Sequence, residues 1–351
     1  MKIIFYINAI HHGGAERVMT NLTKELSDEI ECVLVTSFVD DWEYPVCNKV
    51  KRINLIDRVN NNFIKRNIEL ISRLRKVIKQ EKPDIVLSFM AEPNFRNIIA
   101  SIGLKNRTII SIRNDPNREY PNTLFKMTAR ILYPLATGVV FQTRDAQKWF
   151  SKKIENKSKI IYNPVDNVFY EERYYGERRN IVTTGRLTEQ KNHSMLIKAF
   201  ASISHLIDEN LVIYGDGELR EQLEQLIKNL KLEGRVFLPG AVKNVADEIK
   251  NAKLFVLSSD YEGMPNSLME AMALGLPCFS TDCPCGGPRL LLDEVYLTPV
   301  GDADALGKKM LNLLSDSSEL LEASKSCISN AELFKSEKVY KEWRSFLWKY
   351  R

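Results

Sequence analysis

The sequence predicts an α/β protein of two doubly wound, Rossmann-like domains, each a parallel sheet with helices on both faces, facing each other across a cleft. Three observations point there. Short apolar strands alternate with amphipathic helical patterns through the first half of the chain, which is how parallel sheets with crossover helices read. The same rhythm restarts after residue 176. The third is length: 351 residues exceed what one hydrophobic core usually organises.

Taken in order, the first set of strands is expected at Ile3–Ile7, Cys32–Thr36, Ile85–Phe89, Thr108–Ile112, Val139–Gln142 and Lys159–Tyr162. Between the second and third, residues 63–80 carry Ile64, Ile68, Ile71, Leu74 and Ile78 at helical spacing, with mostly basic residues opposite. Tyr162-Asn-Pro-Val-Asp166 breaks the rhythm, and the charged, Tyr-rich stretch 170–179 reads as a linker. The second set is Ile181–Thr184, Leu211–Tyr214, Val236–Leu238, Leu254–Leu257 and Cys278–Thr281. The expected domains are therefore 1–170, rejoined by the C-terminal helix 336–351, and 171–335. Open α/β sheets bind ligands beyond the C-terminal ends of their strands, so the loops after those strands are where chemistry belongs.

Composition narrows the class. At 44% hydrophobic and 27% charged the chain is an ordinary soluble globular protein, and no run approaches membrane-spanning length. Met-Lys-Ile-Ile-Phe-Tyr-Ile-Asn has no long apolar segment or small-residue cleavage site, so it reads as a first strand rather than a signal peptide. Six cysteines are scattered, and Cys283-Pro-Cys285 is too close for ordinary redox or metal spacing, so the expected compartment is a reducing cytoplasm. The net charge of +5 is uneven: residues 1–176 hold 28 Lys/Arg against 20 Asp/Glu, residues 177–351 hold 22 against 25. Segments 51–82 and 105–153 each hold ten basic and three acidic residues, which favours an anionic partner. Aromatics are not interleaved with these charges, which speaks against nucleic acid.

The most informative stretch is Glu262-Gly-Met-Pro-Asn-Ser-Leu-Met-Glu270, two carboxylates separated by seven residues. It follows the apolar run 254–257 and precedes Gly275, a helix stop. Glu262 thus falls in a strand-to-helix loop and Glu270 about one turn into the helix, with Pro265 suited to its first turn. The N–H groups of Asn266, Ser267 and Leu268, exposed at the helix start, are expected to make an anion site. A carboxylate beside a phosphate site makes sense when the ligand also presents hydroxyls, as a sugar nucleotide does. Thr183-Thr-Gly-Arg-Leu-Thr-Glu-Gln-Lys-Asn-His193 adds Arg186 and Lys191 at another strand end, one a fork of donors and the other a mobile point charge. Gly13 and Gly14 in His11-His-Gly-Gly-Ala-Glu-Arg17, and Gly215-Asp-Gly217, lack the third glycine of a dinucleotide fingerprint. On spacing alone each pair reads first as a tight turn.

These residues carry a resemblance. Gly13-Gly-Ala-Glu-Arg17, Asn163-Pro-Val165, Gly185-Arg-Leu with Lys191-Asn192, Gly215-Asp-Gly-Glu-Leu219, Gly240 and Glu262-x7-Glu270 occur in the order found in the retaining glycosyltransferases of family four, with the GT-B fold. The likeness spans nearly the whole chain and resembles members acting in bacterial polysaccharide and glycoconjugate assembly. It implies a nucleoside diphosphate sugar, with a UDP-hexose or UDP-N-acetylhexosamine expected, and transfer to a saccharide hydroxyl with retention. Arg186, Lys191 and Glu262 would be the catalytic residues. Arg186 and Lys191 would clamp the diphosphate, with Gly13, Gly14, Ser267 and Leu268. Glu270 would hold the ribose, and Glu262, Gly263, Met264, Pro265 and Asn266 the sugar. Gly215, Val242 and Lys243 would cradle the base. Relatives often place a His in the loop after the fourth N-terminal strand; here Ser111-Ile-Arg-Asn-Asp115 puts Arg113 there. Arg113, Asn114 and His12 are the acceptor-side expectation, with a surface-basic role for Arg113 as the alternative.

No metal is expected, because two cations stand where a divalent ion would and no Asp-x-Asp element occurs in a suitable loop. The basic first half suggests a polyprenyl-diphosphate-linked acceptor and peripheral contact with the inner face of the cell membrane, through residues 63–80. The alternative for that segment is a helix packed on its own sheet. A sugar-nucleotide epimerase of the same architecture would need a titratable acid–base pair that the sequence does not offer. A non-catalytic two-domain sugar-nucleotide-binding protein, of the solute-binding type, would need an export signal and would leave Arg186 and Lys191 without a purpose.

Overall fold

The strands gather into two all-parallel sheets in the computed structural model, which describes residues 1–11, 13–40, 43–57 and 62–351. The chain divides into two units, Met1–Asn163 with Glu337–Arg351, and Pro164–Ser336.

In the first unit β1 (Lys2–Ile7), β2 (Glu31–Thr36), β3 (Lys51–Asn54), β4 (Ile85–Phe89), β5 (Arg107–Ser111), β6 (Gly138–Phe141) and β7 (Ser158–Ile160) lie in the order β3-β2-β1-β4-β5-β6-β7. The helices used below are α1 (Gly14–Leu26), α2 (Phe63–Glu81), α3 (Ala91–Ser101), α4 (Pro116–Glu119) and α5 (Thr123–Leu132). Alternation along β1 sorts the core: Ile3, Phe5 and Ile7 pack with α1 and the C-terminal helix Ser336–Trp348, while Ile4 and Tyr6 pack with α2. Such burial on both faces is why these strands read as unbroken apolar runs. Trp343 is fully buried and stacks on Phe89 at 5.8 Å, so the chain's last helix belongs to the first unit's core.

In the second unit β8 (Arg179–Thr184), β9 (Leu211–Tyr214), β10 (Val236–Gly240), β11 (Ala252–Leu257), β12 (Cys278–Thr281) and β13 (Leu297–Thr298) lie in the order β10-β9-β8-β11-β12-β13. The order reverses between β1 and β4 in one sheet and between β8 and β11 in the other. Those two switch points are where a doubly wound sheet opens a crevice, and they place the loops after β1, β8 and β11 at the sites.

Three expectations are corrected. The strands β3 and β13 were not anticipated: Lys-Arg-Ile-Asn is a polar edge strand, and β13 has two residues. The chain leaves the first unit at Asn163 rather than near residue 170, because Val165 already bridges Lys335 and the Tyr170 hydroxyl donates to the carbonyl of Ala331 at 2.7 Å. In α2 the buried residues are Leu70, Leu74, Val77 and Ile78, while Ile64 and Ile68 stand 69% and 63% exposed. The expected apolar face is therefore split between core and solvent.

Candidate functional site

The loop after β8 and the loop after β11 form one stitched unit. Ser258 Oγ donates to the carbonyl of Lys191 at 2.8 Å, the N–H of Asp260 to that of Gln190 at 2.9 Å, and Gln190 Nε2 to that of Tyr261 at 2.9 Å. Asn192 closes the seam: its Nδ2 donates to Asp260 Oδ1 at 2.7 Å, and its Oδ1 caps the helix His193–Ile203 by accepting from the Met195 N–H. It does so with φ 44°, left-handed backbone that Asn tolerates.

Lys191 is held within this frame. Its ammonium meets Glu262 Oε1 at 2.5 Å, and the same oxygen accepts from Ser259 Oγ at 2.8 Å; Gln190 Nε2 lies 3.4 Å from Oε2. Glu262 is buried and Lys191 partly so, so removing either partner would leave the other's charge poorly solvated. A carboxylate offers about four acceptor positions, so three protein donors leave one for a ligand hydroxyl. Arg186 stands exposed on the same loop. His193 is buried two residues after Lys191; burial and then the Lys191 charge push its pKa down to about 4. It stays neutral, which leaves Arg186 and Lys191 as this loop's cations.

Asn266–Ala273 is the helix that follows the loop after β11, with Pro265 as its N-cap rather than in its first turn. Asn266, Ser267 and Leu268 are its first three residues, so their N–H groups have no partner within the helix. Ser267 Oγ is buried at this helix tip with no protein hydrogen-bond partner. Glu270 is buried one turn further on. Gly287 lies behind, where a Cβ would come within 2.2 Å of the Gly263 carbonyl.

The glycines after β9 are neither free turns nor bare ligand loops. A Cβ at Gly215 would lie 1.9 Å from the Gly185 carbonyl oxygen, and Gly215 has φ 142°. The N–H of Leu187 donates to the Asp216 carbonyl and that of Leu219 to the Leu187 carbonyl, at 2.9 and 3.1 Å. Gly215 thus permits the close backbone approach that fixes Gly185-Arg-Leu187. Gly215→Ala is expected to cost about 2–5 kcal/mol from overpacking and backbone strain, read as a lowered urea midpoint. Val242 and Lys243 follow β10, one half-buried and one exposed.

In the first unit Gly13 and Gly14 start α1 at the end of β1, and Gly13 carries no side-chain cap. His12 lies outside the described residues. Arg113, after β5, is buried rather than part of the basic surface, which corrects that alternative. Its guanidinium lies 4.4 Å from the Phe89 ring centre and donates to Asn163 Oδ1, which also accepts from Gln142 Nε2 at 2.6 Å. Burial lowers its pKa to about 9, so it remains a cation at neutral pH. Asn114 follows it, half-buried.

Sequence reasoning brought Arg186, Lys191, Glu262–Leu268, Glu270 and Gly215 to adjoining loops of one sheet, and there they lie. It missed Gln190, Ser259, Asp260, Gln142 and Gly287. An Asn directly before a helical pattern is an N-cap signal that would have found Asn192's structural role; the others are polar residues whose partners are distant in sequence. Among the described residues no group of three or more His, Cys, Asp and Glu side chains is placed to hold a metal.

Comparison with known proteins agrees with this layout. The family described as Glycosyl transferases group 1 matches residues 166–334, and Glycosyltransferase Family 4 matches residues 12–168. An uncharacterized glycosyltransferase of Methanocaldococcus jannaschii is 30% identical over 308 residues, covering 78% of this chain and 74% of that one. The GalNAc-alpha-(1->4)-GalNAc-alpha-(1->3)-diNAcBac-PP-undecaprenol alpha-1,4-N-acetyl-D-galactosaminyltransferase of Campylobacter jejuni is 30% identical over 356 residues, covering 98% and 97%. Anabaena HepE, solved in complex with UDP, shares the fold with a TM-score of 0.82 at 18% identity, covering 99% of this chain and all of that one. Sucrose-phosphate synthase of Thermosynechococcus elongatus does so with 0.85 at 15%, covering 99% and 98%.

Proposed function

This chain belongs to the family-four glycosyltransferases, with the GT-B fold and a sugar-nucleotide donor, and from that premise we propose that it moves a hexose or N-acetylhexosamine from a UDP-sugar to a hydroxyl of a lipid-linked saccharide, with retention. The observation that carries the reading is the Lys191–Glu262 pair, which joins the loop that holds Arg186 to the loop that leads into the Asn266–Ala273 helix. The reading is that the cations Arg186 and Lys191 and the N-terminus of this helix meet the diphosphate as it gathers charge on departing.

In this mechanism the bond between the anomeric carbon and the diphosphate oxygen breaks while the acceptor oxygen bonds to the same face of that carbon. The acceptor's proton passes to the departing phosphate. Arg186 and Lys191 neutralise the leaving group, as a divalent ion would, so we propose that no metal is needed. Glu262 orients Lys191 and offers its remaining acceptor position to a sugar hydroxyl, Gly263–Asn266 line the sugar, and Glu270 takes the ribose hydroxyls. The uracil donor is supported by the UDP in Anabaena HepE, and the polyprenyl-diphosphate acceptor by the activity named for the Campylobacter relative. A screen of UDP-, ADP- and GDP-sugars for thermal stabilisation and turnover tests the reading. Stabilisation by no UDP-sugar would overturn the donor assignment, and an inverted product would overturn the stereochemistry.

The acceptor's lipid fits the surface of the first unit. Phe63, Ile64 and Ile68 of α2 and Leu124, Met127 and Ile131 of α5 are exposed, on helices that flank α3. Lys65, Arg66, Arg73, Lys76 and Lys79 accompany them. Among the described residues, α1 and the C-terminal helix on the opposite face expose no large hydrophobic side chain. No described helix is long and apolar enough to cross a membrane, so the proposed contact is peripheral. Each basic residue near an anionic surface contributes about 1 kcal/mol, and each inserted Ile about 1.5–3 kcal/mol. Ile64→Ser with Ile68→Ser is therefore expected to lower co-flotation with anionic liposomes at least about tenfold. Equal recovery with neutral and anionic liposomes would refute the contact.

A further inference from the structure

Glu119, the last residue of α4, reaches across to two other segments. Its Oε2 accepts the backbone N–H groups of Arg113 at 3.4 Å and Asn114 at 3.2 Å. A third bond comes from the N–H of Ala91, the first residue of α3. That helix needs such a partner: it starts from Met90 at φ 75° and carries no side-chain cap of its own. A carboxylate at its tip supplies both the missing acceptor and the charge that a helix N-terminus favours. Glu119 thus ties the end of β5 to the start of the helix after β4. The other end of Arg113 is secured separately, by Phe89 and Asn163.

We propose that Glu119 is a positioning residue for glycosyl transfer, whose ionised carboxylate clamps the Arg113–Asn114 turn and whose protonation releases it. The proposal rests on the reading of Arg113 and Asn114 as acceptor-side residues. A protonated carboxyl is a much poorer acceptor for three N–H groups than a carboxylate, and its neutral form gives up the attraction to the α3 tip and to Arg113.

The surroundings make that ionisation sensitive to pH in the neutral range. Burial disfavours the anion, and the Oε1 atom is enclosed with no partner. The N–H groups of Arg113, Asn114 and Ala91 and the Arg113 charge favour it. Burial wins, raising the carboxyl to about 7. The other titratable groups facing it are the Arg113 guanidinium from the loop after β5, and the Tyr120 and Tyr133 phenols, which bond to each other at 2.8 Å. Burial pushes both phenols up, so they stay neutral, and Arg113 stays charged. Glu119 is the member of this group that changes charge between pH 6 and pH 8.

The test follows the amide resonances of Arg113 and Asn114 in the full-length protein from pH 5.5 to 8.5, in the wild type and in Glu119→Gln, alongside kcat/KM for the acceptor. The two amides are expected to titrate together with a midpoint near 7, and acceptor kcat/KM to fall about tenfold per pH unit below it, with donor KM unchanged. Glu119→Gln is expected to flatten both curves and to lower acceptor kcat/KM above the midpoint. Wild-type amides that do not titrate in this range, or that titrate equally in Glu119→Gln, overturn the clamp. Should the variant not fold, the wild-type titration alone decides. Sugar transfer with a flat pH profile would remove the clamp and leave the transferase reading standing. Amides that titrate as expected in a protein that transfers no sugar would do the reverse.

Discussion

Lys191→Met is expected to lower turnover about 10²–10³-fold, the usual consequence of removing one group that stabilises charge on a departing oxygen. Methionine keeps the aliphatic stem, which packs beside Gly185, where a Cβ would sit 3.3 Å from Lys191 Cε. What goes is the ammonium, and with it the partner of a buried carboxylate 2.5 Å away. The variant should therefore also lose about 2–4 kcal/mol of stability, because Glu262 is left in place with only Ser259 and Gln190 as donors. Glu262→Gln makes the contrast sharp. It keeps a hydrogen-bond acceptor for Lys191, so stability should change less, while Lys191 loses its charged anchor and turnover falls. Adding Glu262→Gln to Lys191→Met should recover part of the lost stability and none of the activity. Urea midpoints and single-turnover rates on the four proteins check this; equal turnover in Lys191→Met and wild type would remove Lys191 from the chemistry.

Much of this site was legible because its parts are local. Glu262 and Glu270 straddle one strand-to-helix junction, and the alternation of strands and helices fixes where such junctions lie. Arg186 and Lys191 were legible for the same reason. That the two loops adjoin was legible too; the direct pairing of Lys191 with Glu262 was not. That depends on Ser258, Asp260 and Asn192 stitching segments some seventy residues apart, and no periodicity reports which loops will touch. Gly215 shows the same limit from the other side. As part of a short glycine pair it reads as a turn. Side chains are excluded there because a methyl group would stand 1.9 Å from the Gly185 carbonyl oxygen, a contact between loops that spacing does not show.

The acceptor side was harder to read. Arg113 sits in a segment rich in Lys and Arg, and composition gives no reason to bury one of them. What buries it is Phe89 below and Asn163 beside it, at the ends of different strands. The edge strand β3 escaped notice because Lys51 is exposed, Arg52 is half-buried against Glu43, and Ile53 is left as the one apolar mark of the strand. Similarly, α2 presents two apolar stripes that a single helical period merges into one, and only packing against the sheet tells them apart.

Arg96→Met is expected to destabilise the protein by about 3–5 kcal/mol, far more than removing its partner Glu92. The asymmetry follows from where the two charges lie. Arg96 is 2% exposed, whereas the Glu92 side chain is 32% exposed and can return to water when left alone. The guanidinium also holds several segments at once: its Nε donates to Asn67 Oδ1 of α2 at 2.7 Å, and its Nη1 to Asn8 Oδ1 after β1 at 2.6 Å. Ser37, bonded to the Tyr6 hydroxyl at 2.8 Å, lies at the edge of this cluster. Methionine fills much of the volume but takes the Arg96 donor from Asn67 Oδ1 and leaves Asn8 Oδ1 with Ser37 Oγ, at 3.2 Å; an acceptor left dry costs about 1–3 kcal/mol. Glu92→Gln leaves every one of those bonds intact and should cost about 1 kcal/mol. A urea titration separates the outcomes: the midpoint should fall steeply for Arg96→Met and slightly for Glu92→Gln, with the slope unchanged in both. Equal losses would mean that the ion pair, rather than the buried fork of hydrogen bonds, holds α2 and α3 to the loops after β1 and β2.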